Sequence, residues 1–214
     1  MKTIRLLFFS FFLIFATQAV QAQSFDGGLM AGAVTSQING DGYGGFHQLG
    51  CTGGVFARVP TDGPFSWQLE IKYTLLGAHS DVDELQNALP MNIRLHYVEL
   101  PVMGRYNLSK ININGTSLDF ITLEAGLSGD FLISGRQSAD MEELFENSQW
   151  LFFSVTGNLG VQFDLNEHWG VNLRSMNSVT PCRWRPESPS VFYGHYYNIA
   201  LAASVTYTIH HWGK

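Results

Sequence analysis

The stretch from Tyr197 to Ile209 constrains the fold of this chain more than any other segment. Its odd-numbered positions are apolar or aromatic, and its even-numbered positions are small or polar. Side chains alternate across a β-strand, so this pattern predicts one apolar face and one small or polar face. The polar face lacks Lys and Glu, which suits a crowded interior, and we expect the apolar face to contact lipid. Unpaired backbone groups are not tolerated in hydrocarbon, so the other strands must close a barrel.

The N-terminus indicates export. Lys2 and Arg5 precede an apolar run over residues 6–16, and Val20-Gln21-Ala22 forms a small-residue cleavage pattern. We predict that residues 1–22 are a removed signal peptide and that residues 23–214 form one barrel domain. No Cys follows the predicted cleavage point, which argues against a lipid anchor.

Composition supports a membrane barrel. The chain has 22 Gly and only 14% charged residues, whereas a soluble domain usually carries about a quarter. Alternating strands with apolar outer faces give this balance. A net charge of −6 gives no support to nucleic-acid binding. Two cysteines in an exported chain allow one candidate disulfide, Cys51 to Cys182, although Cys51 falls on the outward register.

The chain order predicts an all-β fold, an eight-stranded antiparallel up-and-down transmembrane β-barrel in the cell outer membrane. Long connections alternate with short turns, which places both termini on the periplasmic side. Helices are predicted within the connections 79–92 and 134–149, and a turn over residues 109–117. The predicted strands cover residues 25–38, 49–59, 65–78, 94–108, 118–133, 151–165, 169–179 and 197–209.

Aromatic residues fall near the predicted strand ends, as expected for belts at the two membrane surfaces. The periplasmic belt is predicted to contain Phe65, Trp67, Tyr106, Phe120, Phe163, Trp169 and Tyr207. The extracellular belt is predicted to contain Tyr97, Phe131, Trp150, Phe153 and Tyr197.

Charged side chains on the inward register predict a filled interior. An eight-stranded barrel is only just wide enough for its own side chains. Four cations and four anions balance there, whereas selective ion channels are lined by an excess of one sign. We therefore predict a barrel that does not conduct, filled by Arg58, Glu70, Lys72, Glu99, Arg105, Glu124, Asp130 and Arg174.

The fourth predicted strand carries a specific motif. Tyr97-Val98-Glu99-Leu100-Pro101, followed by Arg105, resembles the Tyr-x-Glu-(Ile/Leu)-Pro signature of PorT-like outer-membrane β-barrel proteins. The resemblance implies a small barrel of about eight strands with a signal peptide. The best-known member assists a protein secretion system, so the implied partner is an envelope or secretion-system protein. Pro101 cannot donate to a strand ladder, which predicts a bulge or bend.

No residue pattern predicts chemistry. His47, His79, His96 and His195 fall near the extracellular rim, but their spacing matches no compact metal motif. His79 and Ser80 are adjacent, and adjacent residues on a strand point to opposite faces. We predict no catalytic residue, metal or cofactor.

Three functions remain open. The first is a monomeric, non-enzymatic barrel in outer-membrane lipid, with a structural or partner-binding role. The second is a soluble, secreted lipocalin-like barrel, whose apolar faces would line a ligand pocket. The third is a lipid-modifying outer-membrane enzyme.

Overall fold

The computed structural model describes residues 25–40, 45–80, 91–113, 116–139, 142–143, 150–184 and 195–212. The predicted signal peptide lies outside these residues, as does the core of the helix predicted after Ser80. In the part of the chain that is described, no helix is long and apolar enough to cross a membrane.

Eight antiparallel strands form a closed ring. Each strand pairs with the strands before and after it, and β8 also pairs with β1. Backbone groups therefore find partners on both edges of every strand, as a lipid environment requires. The predicted eight-stranded antiparallel barrel is confirmed. The strands are β1 (Phe25–Asn39), β2 (Gln48–Pro60), β3 (Phe65–Ser80), β4 (Met91–Ile113), β5 (Thr116–Ala139), β6 (Phe153–Asp164), β7 (Trp169–Ser178) and β8 (Tyr197–Trp212).

The turn predicted over residues 109–117 is shorter than predicted, because β4 continues to residue 113 and β5 begins at residue 116. Asn107 does form a local turn, since its side-chain oxygen accepts a hydrogen bond from the Ser109 amide at 2.9 Å. The ladder then resumes after a register shift, at Leu108–Leu118 and Ile113–Thr116. The Asn107 turn is therefore a local irregularity within a hairpin that extends further.

The helix predicted within residues 134–149 is wrong for the residues of that range that the structure describes as strand. A two-residue strand, Glu142–Glu143, pairs with Ser138 and Ala139 at the end of β5. Backbone pairing with a neighbouring strand overrides the helical spacing of the apolar residues there. Those apolar residues, Met141, Leu144 and Phe145, lie outside the described residues.

The two ends of the barrel differ in their connections. The connections 61–64, 114–115 and 165–168 lie at the end where β1 begins and β8 ends, here called the short-turn end. The connections 40–47, 81–90, 140–152 and 179–196 lie at the opposite end, here called the long-loop end. In outer-membrane barrels the short turns face the periplasm and the long loops face outward.

The wall of the barrel is apolar on the outside. On β8, Leu201 and Val205 are exposed, whereas Ser204 and Thr206 are buried in the lumen. The soluble lipocalin-like alternative is wrong, because such a barrel would turn its apolar faces inward. Outward apolar residues on the other strands include Leu29, Val55, Ile71, Val102, Leu127, Leu159 and Leu173.

Aromatic side chains gather near both ends of the apolar wall. At the short-turn end, the rings of Trp169 and Tyr207 are 4.8 Å apart. Towards the long-loop end, the rings of Phe131 and Phe153 are 5.2 Å apart. Tyr97 does not belong to the outer belt as predicted, because its side chain faces the lumen and is buried.

Candidate functional site

The centre of the lumen holds an ion pair between opposite walls of the barrel. Arg174 on β7 donates two hydrogen bonds to Glu70 on β3, from Nη1 to Oε2 at 2.7 Å and from Nη2 to Oε1 at 2.8 Å. Three strands lie between β3 and β7 in either direction around the ring. A bidentate arginine–carboxylate pair is among the stronger polar contacts in proteins, and this one spans the lumen.

Glu124 on β5 extends the pair into a chain. Its Oε2 accepts hydrogen bonds from Arg174 Nη2 at 3.0 Å and from Asn172 Nδ2 at 2.7 Å. Its Oε1 accepts one from Arg105 Nε at 2.7 Å. The chain Arg105–Glu124–Arg174–Glu70 therefore joins β4, β5, β7 and β3, with two charges of each sign.

A second layer of charges lies nearer the long-loop end. Lys72 Nζ is 2.7 Å from Glu99 Oε2 and 3.9 Å from the sulfur of Met176 on the opposite wall. Asp130, the ladder partner of Glu99, accepts hydrogen bonds from the hydroxyls of Ser128 and Thr156. The structure thus places six of the eight predicted interior charges in the two layers and Asp130 directly beside them.

Arg58 lies apart from these layers, towards the short-turn end. Its Nε donates to Gln68 Oε1 at 3.3 Å, and Gln68 in turn donates to Glu70 at 2.7 Å. Its guanidinium also lies 5.4 Å from the centre of the Phe56 ring. Arg58 therefore lies between the charged layers and a pocket at the short-turn end.

That pocket has a volume of about 410 Å³ and polar walls. Its acidic groups are Asp26, Asp119, Asp164 and Glu167, against one arginine, Arg58. It opens beside the β6–β7 turn, which an Asn166 side chain fastens by accepting hydrogen bonds from the amides of residues 168 and 169 at 2.9 Å. The short-turn end therefore carries a polar pocket with an excess of acidic residues.

The lumen above the charges is apolar, which the sequence reasoning missed. Tyr97 marks the boundary, since its hydroxyl accepts a hydrogen bond from Asn198 Nδ2 on the opposite wall at 3.1 Å. The alternation of inward and outward positions could have revealed it. Beyond the charged positions, every second residue of β3 and β4 still faces the lumen, and these residues are apolar. The buried apolar residues are Val34, Ile38, Leu76, Ala78, Ile93, Leu95, Met176, Ala200 and Ala202.

An arginine between two aromatic rings covers this apolar layer at the long-loop end. The Arg183 guanidinium lies 5.3 Å from the ring centres of both Trp150 and Tyr196. Single bridges between backbones join the same three residues, and both rings pack on the apolar layer. Among the described residues, these three side chains therefore form a packed group over the apolar layer.

The candidate disulfide between Cys51 and Cys182 does not form in the structure. Cys51 lies exposed on the outer face of β2. Cys182 is buried, and its thiol donates to the Tyr196 carbonyl at 3.3 Å. A disulfide requires side chains that point toward each other, and these two lie on opposite sides of the barrel wall.

Pro101 does not produce the predicted bulge. The β3–β4 ladder keeps one register on both sides of it, from Leu69–Val102 to Lys72–Glu99. The ladder loses the two pairs between these points, as expected beside a residue without a backbone donor. The nearest register shift of β4 lies instead at His96–Tyr97, in its ladder with β5.

The four histidines of the predicted rim do not come together. His96 on the outer wall shares a 2.6 Å hydrogen bond with the Tyr73 hydroxyl. His195 is buried and makes an edge contact with Trp184, with ring centres 4.5 Å apart. Among the described residues, no three His, Cys, Asp or Glu side chains are grouped so that they could hold a metal ion.

The comparisons with known proteins agree with this architecture. A family model described as outer membrane protein beta-barrel domain matches residues 21–182. The structure of Ail, the attachment invasion locus protein of Yersinia pestis, is similar with a TM-score of 0.52 at 12% identity, covering 86% of this chain and 98% of that chain. No curated protein matches the sequence.

Two further solved structures are similar with lower scores. Neisserial surface protein A has a TM-score of 0.45 at 11% identity, covering 88% of this chain and 98% of that chain. OprG from Pseudomonas aeruginosa has a TM-score of 0.39 at 13% identity, covering 88% of this chain and 97% of that chain. At such identities a likeness concerns the fold and not the activity.

Proposed function

The chain belongs to the outer membrane protein beta-barrel domain family, and we propose that it is a non-conducting, non-enzymatic barrel that binds another envelope component. Membership makes it a small β-barrel protein of the cell outer membrane. The observation that carries the proposal is the lumen, which the Glu70–Arg174 pair bridges from wall to wall. A barrel filled in this way offers its two ends and its outer wall for function.

The arrangement of charges also supports a role without catalysis. Glu70 and Glu124 are buried and bound by arginines, and Glu99 is buried beside Lys72. A general acid or base must reach its substrate within hydrogen-bond distance. Carboxylates held in the middle of a packed lumen cannot reach lipid or solvent, so their role is to stabilise the barrel.

The partner surface that we propose is the pocket at the short-turn end, which faces the periplasm. Its four carboxylates against one arginine favour a basic partner, because complementary charge steers association and suppresses wrong partners. The resemblance of Tyr97–Pro101 to PorT-like proteins suggests that this partner belongs to a secretion system. The motif residues Tyr97, Glu99 and Pro101 are themselves buried in the barrel, so they would support the fold rather than contact the partner.

Site-specific photo-crosslinking in cells tests this proposal. A crosslinking phenylalanine analogue at Phe120, which lines the pocket and is exposed, is expected to capture a periplasmic or outer-membrane protein, and Glu167→Lys with Asp119→Lys should abolish the product. A crosslinker at Leu127 on the lipid-facing wall serves as the matched control. Equal products at Phe120 and Leu127, or products unaffected by the two charge reversals, would contradict the proposal.

We also propose that the mature protein is a monomer that begins at Gln23, after removal of residues 1–22. The basis is the cleavage pattern Val20-Gln21-Ala22. Mass spectrometry of the protein purified from outer membranes would give the mass of the mature chain, and an intact N-terminus would refute the assignment.

A further inference from the structure

Two arginines of like charge lie side by side on the outer wall near the long-loop end. Arg94 on β4 and Arg136 on β5 are direct partners in the antiparallel ladder. Both side chains are exposed, and the neighbours of Arg94 in sequence, Ile93 and Leu95, are buried in the lumen. Directly opposed residues share a face of the sheet, and like charges in this position destabilise it.

No ion pair between described side chains includes Arg94 or Arg136. Those ion pairs all lie in the lumen, between Lys72 and Glu99 and along the Arg105–Glu70 chain. In the ladders, His96 with Ser134 and Gly77 with Arg94 bring no carboxylate next to the pair, whereas Glu143 pairs with Ser138, two positions from Arg136. The described wall therefore presents two adjacent positive charges, with one acidic residue nearby.

The depth of the pair matches a membrane surface. Twelve positions separate Arg94 from Tyr106 of the short-turn belt, or about 28 Å along the membrane normal at roughly 3.3 Å per residue and 45° of tilt. The apolar band of an outer-membrane barrel is about 25 Å tall. The outward residues between them are apolar at Val98, Leu100 and Val102, and the first polar one is His96.

We propose that Arg94 and Arg136 together bind one phosphate group of an anionic glycolipid in the outer leaflet. The planar guanidinium matches phosphate geometry in a bidentate manner, and two of them side by side would share one phosphate. The phosphate brings negative charge between the two guanidinium groups and so reduces the repulsion within the pair. This site lies on the outer wall and does not depend on the partner proposed at the periplasmic end.

The apolar outer wall near the arginines favours a lipid as the source of the phosphate. Beyond the polar row of His96 and Ser134, the outer wall of β4 and β5 is apolar. Its exposed residues there include Leu100, Val102 and Leu127. Acyl chains attached to the bound headgroup would lie along this wall. Basic sites at the edge of a membrane-spanning surface recognise lipid headgroups by this combination of charge and apolar contact.

Native mass spectrometry of the full mature protein in detergent, titrated with diphosphorylated lipid A, tests the site. The double variant Arg94→Gln, Arg136→Gln is expected to bind lipid A about thirtyfold more weakly than the wild type. Lys110→Gln, which removes an exposed cation at the short-turn end, should change the affinity less than about twofold. Heat-dependent gel migration shows whether each variant is folded.

Two outcomes would overturn the proposal. Unchanged lipid A affinity in the folded double variant would exclude the arginine pair as the binding site. Complete displacement of lipid A by inorganic phosphate in millimolar excess would show a site for free phosphate rather than for a lipid. Retention of the lipid under the same phosphate, together with loss in the double variant, is the result that we expect.

Discussion

Glu70 and Arg174 lie on opposite walls of the barrel and meet in the lumen through two hydrogen bonds, of 2.7 and 2.8 Å. Tyr97 and Asn198 join another opposite pair of strands, β4 and β8, at 3.1 Å. These contacts lie at different heights, so the barrel is crossed by side chains more than once. The protein is therefore a filled cylinder in the membrane, and its activity must be exercised at its surfaces.

Arg174→Met should lower the free energy of unfolding by about 3–5 kcal/mol, because it leaves the buried carboxylates of Glu70 and Glu124 without this cation. Urea unfolding of the protein refolded into lipid vesicles measures the change. Arg58→Met is the matched control, with a loss of about 1 kcal/mol, since Arg58 makes one 3.3 Å hydrogen bond to Gln68. Equal losses in the two variants would contradict the cross-lumen role of Arg174.

Glu99→Gln should destabilise the barrel by about 3 kcal/mol, because Lys72 keeps its charge and loses its carboxylate partner. Replacing both residues, Lys72→Met with Glu99→Met, should restore stability to within about 1 kcal/mol of the wild type. The same unfolding measurement on Lys72→Met, Glu99→Met and the double variant gives the coupling energy. A double variant as unstable as the sum of its single variants would show that the two charges do not interact.

Leu127→Arg should destabilise the protein by about 2–4 kcal/mol, because Leu127 lies on the outer wall in the middle of the apolar band. Ile133→Arg should cost about 0–1 kcal/mol, since residue 133 lies near the long-loop edge of that band. The two side chains are matched in exposure, at 58% each. Similar losses at both positions in vesicles would contradict the orientation of the barrel in the membrane.

Both thiols should react with a maleimide in protein that is unfolded without a reducing agent, because no disulfide joins Cys51 to Cys182. In the folded protein we expect the buried Cys182 to be protected. Mass spectrometry counts the added groups, with a reduced and unfolded sample as the control. An unfolded, unreduced protein that adds no maleimide would reveal a disulfide.

The sequence was sufficient to predict the wall of the barrel. Along β8 the alternation from Tyr197 to Ile209 directly reports which residues face lipid, because only two environments exist for a strand in a closed barrel. The same parity places Glu70, Lys72 and Arg174 in the lumen. Which of these charges pair was not predictable, since Glu70 and Arg174 are brought together by closure of the ring and not by proximity in sequence.

The connections and the upper lumen were predicted less well. Asn107 forms a genuine local turn, and only the continued pairing of β4 with β5 shows that the hairpin goes on. The apolar layer around Leu76 and Ile93 was missed because the polar inner faces of the other strands were extended to the whole lumen. The lateral arginine pair, Arg94 with Arg136, depends on the register of the ladder, which a register shift at His96–Tyr97 alters.

The most direct test of a filled barrel is the conductance of the purified protein in planar lipid bilayers. We expect no steady single-channel steps from wild-type protein that shows folded, heat-dependent migration on gels, because the Glu70–Arg174 pair and the apolar layer above it close the lumen. Steady, reproducible current steps from that same folded protein would contradict this account.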